Sequence, residues 1–163
     1  MKKQKGFSLI ELLIVVAIIL IIAAIAIPNL LRSRMAANEA SAVGSIRTIN
    51  TAEVTYSATY PDCGFANLSN LGGSGGAVTG AGLIDSVLAG GTKSGYSFAA
   101  TASGGASTCT PGSGTPSPNL TYSVVGAPVT PGQTGQRYFY SDQSGVIRYA
   151  ISSAADSSSS PLQ

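Results

Sequence analysis

Residues 12–27 form an unbroken run of leucine, isoleucine, valine and alanine, headed by Glu11 and closed by Pro28. Extended back to Phe7, the stretch reaches the ~20 residues that a helix needs to cross a hydrocarbon core. Inside lipid no water is available to satisfy backbone amides, so a single span of this length has to be helical. Lys2, Lys3 and Lys5 stand just before it, and a basic flank of this kind holds the N-terminus in the cytoplasm. Everything after Pro28 is then carried outward. Any fold for this chain must therefore begin with an apolar helix over 7–28 and place its globular part beyond it.

Composition narrows the chemistry. Histidine is absent, which removes the commonest general base near neutral pH, and with it a Ser-His-Asp triad, a Cys-His dyad and a histidine zinc site. Two cysteines cannot close a tetrahedral thiolate site either. Only 10% of the residues are charged, against roughly 25% in an ordinary soluble domain. A surface rich in Ser, Thr and Gly suits exported proteins and subunits that pack side by side. The formal charge of +2 is too small to point to a nucleic-acid partner. Composition argues against most hydrolytic and metalloenzyme chemistry, and no cofactor or metal is expected.

Two export routes fit the N-terminus. A secretory signal peptide would be cut after the small-x-small set Ala24-Ile25-Ala26. Against that route, Glu11 falls at the start of the apolar region and Pro28 lies two residues past the cut. In the other route the helix is retained and only a leader, residues 1–6, is trimmed between Gly6 and Phe7. The residues of this second route carry a family signature. Gly6-Phe7-Ser8-Leu9-Ile10-Glu11-Leu12-Leu13-Ile14-Val15-Val16-Ala17-Ile18-Ile19, continuing to Ala26-Ile27-Pro28, closely resembles the N-terminus of type IV pilins and type II secretion pseudopilins. The resemblance covers residues 1–60.

The resemblance implies a specific history. A prepilin peptidase would cut after Gly6 and methylate the new amino group of Phe7. Before assembly the subunit would sit in the inner membrane, single-pass, with its apolar helix in lipid. An assembly platform and an ATPase would then draw it into a homo-polymer joined through the N-terminal helices, ending as an extracellular or periplasmic filament. The implied fold is α+β: a long helix whose first half is the membrane and filament stem and whose second half packs on a small antiparallel sheet, the pilin fold.

Glu11 has an independent physical reading. A carboxylate about one turn inside a membrane span is costly, so it marks function if a partner can be named. The resemblance supplies one, the Phe7 α-amino group of a neighbouring subunit. The plain alternative is an interfacial glutamate near a helix N-terminus, where the dipole favours negative charge. Pro28 removes a backbone donor and crowds the carbonyl four residues earlier, predicting a kink or local melting over 24–28. It is assigned with Glu11 to assembly, or it simply marks the end of the span.

Past Pro28 the pattern stays helical over 29–60. Ala42, Ile46, Ile49, Glu53 and Tyr56 fall on one stripe of 3.6 period, with Met35 and Val43 beside it. This stripe is expected to pack on the chain's own sheet. Gly44 inside it suggests a close approach or a slight bend, and Pro61 ends the helix. A continuous helix over 7–60 would run about 80 Å.

The head, residues 61–163, divides into three. Residues 61–93 read as a loop region with a glycine tract at 72–76, one short helix through Leu83, Ile84, Val87 and Leu88, and a stop at Gly90-Gly91. Residues 94–151 read as an antiparallel sheet. Its strands are expected at 96–99, 120–124, 136–141 and 146–151, with an irregular insertion at 102–119 and a hairpin over Asp142 to Gly145. Residues 152–163 are expected to fray. Cys63 and Cys109, beyond the membrane in an oxidising space, are expected to pair; closing such a loop contributes about 4 kcal/mol in the chain-entropy model. Asp142 and Asp156 are read as solvated turn residues, since calcium needs six to eight oxygens.

These readings converge on a structural subunit of a type IV pilus or similar filament. A secretion pseudopilin, or a membrane-tethered minor pilin acting as a binding module, are the alternatives. A soluble domain released after Ala26 belongs to the other export route.

Overall fold

The computed structural model describes residues 7–105 and 117–162. The chain divides into two compact units, residues 1–34 and 35–163. In the first unit the apolar run is helical throughout, and nearly every side chain from Phe7 to Arg34 is exposed. Helix α1, Leu9–Thr59, begins here, with the Ser8 carbonyl accepting from the Glu11 and Leu12 amides at 3.1 and 3.2 Å. It starts two residues later and stops one residue earlier than the sequence pattern gives.

No melting occurs at Pro28: α1 is assigned as helix without interruption through 24–28. Proline costs the ladder one donor. The surrounding leucine, isoleucine and alanine still close their own bonds, so the loss stays confined to a single rung. Gly44 is likewise not a point of close approach, because a Cβ there would meet nothing within 4 Å.

In the second unit the expected stripe of Ala42, Ile46, Ile49, Glu53 and Tyr56 is buried with Val43 beside it, Met35 is half-buried, and Glu39, Ser45 and Ala52 are buried as well. The apolar members, Ala42, Val43, Ile46, Ile49, Ala52 and Tyr56, join strand residues Tyr96, Phe98, Ala100, Tyr122, Val124 and Phe139 in one core. The sheet has six antiparallel strands in sequence order, β1 Thr92–Lys93, β2 Tyr96–Ser103, β3 Thr121–Pro128, β4 Arg137–Asp142, β5 Arg148–Ile151 and β6 Ser160–Pro161. Burial alternates along β2 and β3, as expected for a sheet with one face on a core. The class is thus α+β, a long helix with an antiparallel sheet.

The β4–β5 hairpin turns where the sequence places it. The Asp142 carbonyl accepts from the Gly145 amide at 2.8 Å, and Gly145 has φ +72°. Two short helices lie in the connection, α2 Leu68–Leu71 and α3 Ser86–Ala89. The latter is capped by Asp85, whose carboxylate accepts from the Leu88 amide.

The C-terminal segment is docked rather than frayed. β6 pairs with β5, the Leu162 amide donates to the Ile147 carbonyl at 2.7 Å, Arg148 donates through Nη1 to the Ser159 carbonyl, and Ala155 is buried. A run of serines carries no periodic signal, but its backbone can add a strand to the open edge of β5.

Candidate functional site

The candidate site residues of the sequence lie in two places. The first is the start of the stem. Gly6 lies outside the described residues. Phe7 precedes α1 and is 74% exposed, and Glu11 occupies the first turn of the helix, also exposed. Phe7 and Glu11 thus lie four residues apart at the start of the apolar helix. Pro28 lies farther along the same helix.

The second is the segment after α1. Cys63 is buried in the turn that follows Tyr60, whose carbonyl accepts from the Cys63 amide at 2.9 Å. Cys109 lies outside the described residues. The neighbourhood of Cys63 is nevertheless well defined. The Asn119 amide donates to the Cys63 carbonyl at 2.8 Å, the Phe65 amide donates to the Asn119 carbonyl at 3.1 Å, and Asn119 Nδ2 donates to the Phe65 carbonyl at 2.9 Å. Gly64 makes this approach possible. It sits at φ +69°, and a Cβ there would run into the Asn119 carbonyl oxygen. Residues on both sides of the 106–116 stretch are therefore close to well-placed backbone: Asn119 pairs with the Cys63–Phe65 strip, and the Ala102 amide donates to Asn67 Oδ1 at 3.0 Å.

Two carboxylates on α1 do more than fill the stripe. Glu39 accepts from the Gln136 and Arg137 amides at 2.9 and 3.2 Å and binds Arg137 Nε at 2.7 Å. Burial pushes its carboxyl upward, but the hydrogen bonds from Gln136 and Arg137 outweigh it and hold it below the ordinary value. Glu53 is wholly buried, with one oxygen accepting the Ala66 amide at 2.9 Å and the other unpartnered. Burial pushes its carboxyl up to about 7, against which the Ala66 bond acts only in part. The sequence reading placed Glu53 on the stripe as packing and passed over Glu39. Carboxylates at a stripe position and three residues before Ala42 are a signal that spacing alone could have raised.

Asp142 and Asp156 are occupied by their own turns. Asp142 accepts from the Ser144 amide, and Asp156 accepts from the Ser158 amide and the Ser158 and Ser159 hydroxyls. Among the described residues, no group of three or more His, Cys, Asp or Glu could hold a metal ion.

Comparison with known proteins places the stem. The prokaryotic N-terminal methylation motif matches residues 1–27. The type IV wide pilus major component PilA4 of Thermus thermophilus is 64% identical over 39 residues, which are 24% of this chain and 30% of that protein. The type IV major pilin protein PilA of Myxococcus xanthus is 43% identical over 54 residues, 33% of this chain and 24% of that one. A fimbrial protein of Pseudomonas aeruginosa is 43% identical over 88 residues, covering 46% of this chain and 57% of its own. The chain thus spans between a quarter and just over half of the length of these relatives. No solved structure matches it. The chain carries a prokaryotic N-terminal methylation motif on a stem similar to those of type IV pilins.

Proposed function

We propose that the protein is a non-enzymatic structural subunit of a type IV pilus or a similar filament. The observation that carries this reading is the stem. Residues 9–27 form an apolar helical surface that lacks cover within its own unit, and the methylation motif runs through them. Such a surface is stable only when something apolar surrounds it. Lipid fills that role before assembly, in a single-pass inner-membrane state with the N-terminus in the cytoplasm. Neighbouring stems fill it afterwards, in an extracellular or periplasmic homo-polymer. Among the described residues, one helix is long and apolar enough for such a span.

In this reading a prepilin peptidase cuts between Gly6 and Phe7 and methylates Phe7. A membrane platform and an ATPase supply the work of extraction, and Glu11 pairs with the Phe7 amine. Cys63 and Cys109 form the head's disulfide. The burial of Cys63 and the pinning of Asn119 beside it support that pairing.

Intact-mass measurement of the exported protein tests the assignment. A terminus at methylated Phe7 is expected, and a terminus at Ile27 would overturn it. Electron microscopy of sheared surface material, labelled for this chain, should show it along filaments. The pseudopilin reading shares every feature of the stem and differs in giving no surface filament.

A further inference from the structure

Glu53 is 0% exposed, at the centre of the α1 stripe. The Ala66 amide donates to Oε2 at 2.9 Å, whereas Oε1 has no hydrogen-bond partner. The titratable groups that face it are the phenols of Tyr56, on its own helix, and Tyr122, on β3. Neither serves it: the Tyr56 hydroxyl donates to the Val78 carbonyl at 2.8 Å, and that of Tyr122 donates to Asn50 Oδ1 at 3.3 Å. No lysine or arginine among the described residues compensates its charge, and residues 106–116 contain no charged side chain at all. A neutral carboxyl is tolerable there. An ionised one would keep a full charge on a single amide bond in a dry core, which costs far more.

What Glu53 holds is the strip after the helix. Ala66 lies between Phe65, bonded to Asn119, and Asn67, bonded to the Ala102 amide. The strip is thus fastened to the sheet side at both ends, and the Glu53 carboxyl reaches from α1 to bond its middle. We propose that Glu53 is a proton-operated latch on the Cys63–Asn67 strip, closed while the carboxyl is neutral and loosened when it ionises. The strip carries Cys63 and pairs with Asn119, so the latch sets how firmly Asn119 is seated against the strip. The seat is tight on the acid side of neutrality and looser on the alkaline side.

The sign follows from linkage. A carboxyl held at about 7 when closed, and near its ordinary value of ~4.5 once the strip opens to water, binds its proton more tightly in the closed state. Closure is therefore favoured in acid and weakens as the pH rises through that interval. The test is amide hydrogen exchange on the processed full-length protein in detergent micelles, at pH 5.5 and 8.5, corrected for intrinsic exchange rates. The opening constant at Ala66 should rise by about thirtyfold between these two pH values, while amides of the central strands β3 and β4 change far less. Glu53→Gln keeps an acceptor for the Ala66 amide and cannot ionise, so its exchange should be flat across the same range. A flat wild-type profile, or an equal rise in Glu53→Gln, would overturn the latch. Should the variant not fold, carbon-13 carboxyl titration of the wild type decides. Of the chain's three glutamates, Glu53 should titrate near neutrality, and a midpoint at or below the ordinary glutamate value would overturn the proposal.

Discussion

Glu39 holds Arg137 in a clamp that joins helix α1 to the first residue of strand β4. Its Oε2 lies 2.7 Å from Arg137 Nε, while its Oε1 accepts the amides of both Gln136 and Arg137. The guanidinium also lies over the rings of Phe139 and Tyr149, 5.6 Å from each centroid. Beside it, Asn38 Nδ2 donates to the Thr134 carbonyl at 3.0 Å. Two consecutive helix residues thus fix the turn that feeds β4.

Removing this carboxylate should be among the most damaging single changes in the head. Glu39→Ala strands a half-buried cation and two amides. It should cost about 2–4 kcal/mol, a charged hydrogen-bond network being worth more than an exposed pair. Glu39→Gln, which keeps an acceptor, should cost less. The clamp also sets an acid limit. Because Glu39 titrates below its ordinary value in the folded chain, its contribution is complete above that value and is lost as the pH falls through and below it. Denaturant midpoints of the full chain in detergent should fall between pH 5 and pH 3 for the wild type and change less for Glu39→Gln.

The sequence was legible where one period persisted. The apolar run, the stripe from Ala42 to Tyr56, the alternation along Tyr96 to Ala99 and Leu120 to Val124, and the turn at Gly145 all follow from a local rule. The missed features depend on partners far away in the chain. Glu39 acquires its role from residues 136 and 137, and Glu53 from Ala66. The serine-rich tail acquires its strand only because β5 offers an open edge, and Leu68–Leu71 is a single turn too short to show a period. At Pro28 the local rule allows a kink or melting, and α1 continues through it as helix.

Gly64→Ala should destabilise the head by more than an ordinary glycine replacement. The residue has φ +69°, and the added methyl would collide with the Asn119 carbonyl. Strain of this kind costs about 1–3 kcal/mol, and relieving it means separating the Cys63–Phe65 strip from Asn119. A lowered denaturant midpoint, with faster amide exchange at Phe65 and Asn119, is the expected outcome. Unchanged stability would mean that this strip is not held as described.

Cys63→Ser tests the proposed disulfide. With Cys109 as partner, the loss should lower stability by about 2–4 kcal/mol and leave membrane insertion intact, since the stem is untouched. Alkylation of native protein under denaturing, non-reducing conditions should label neither cysteine. Labelling of both would remove the bond from the assignment.

The last prediction concerns Glu11, in the first turn of α1. Cleavage at Gly6 would leave each subunit with one positive amine at Phe7 and one carboxylate four residues on, both on an otherwise apolar surface. Moving from lipid into a dry bundle of stems strands both charges unless they meet, within one subunit or across to the next. Losing one member of a buried pair leaves the other uncompensated, at roughly 3–5 kcal/mol, and the penalty recurs with every subunit added. Glu11→Leu makes the span more apolar, so insertion and processing should persist. Glu11→Leu and Glu11→Gln should therefore both yield cleaved, membrane-resident protein by mass spectrometry and few or no filaments by electron microscopy. A normal filament yield from Glu11→Leu would refute charge pairing as the step that commits a subunit to the polymer. Filaments from Glu11→Gln alone would instead mean that a hydrogen bond to the Phe7 amine is sufficient, with no need of the carboxylate's charge.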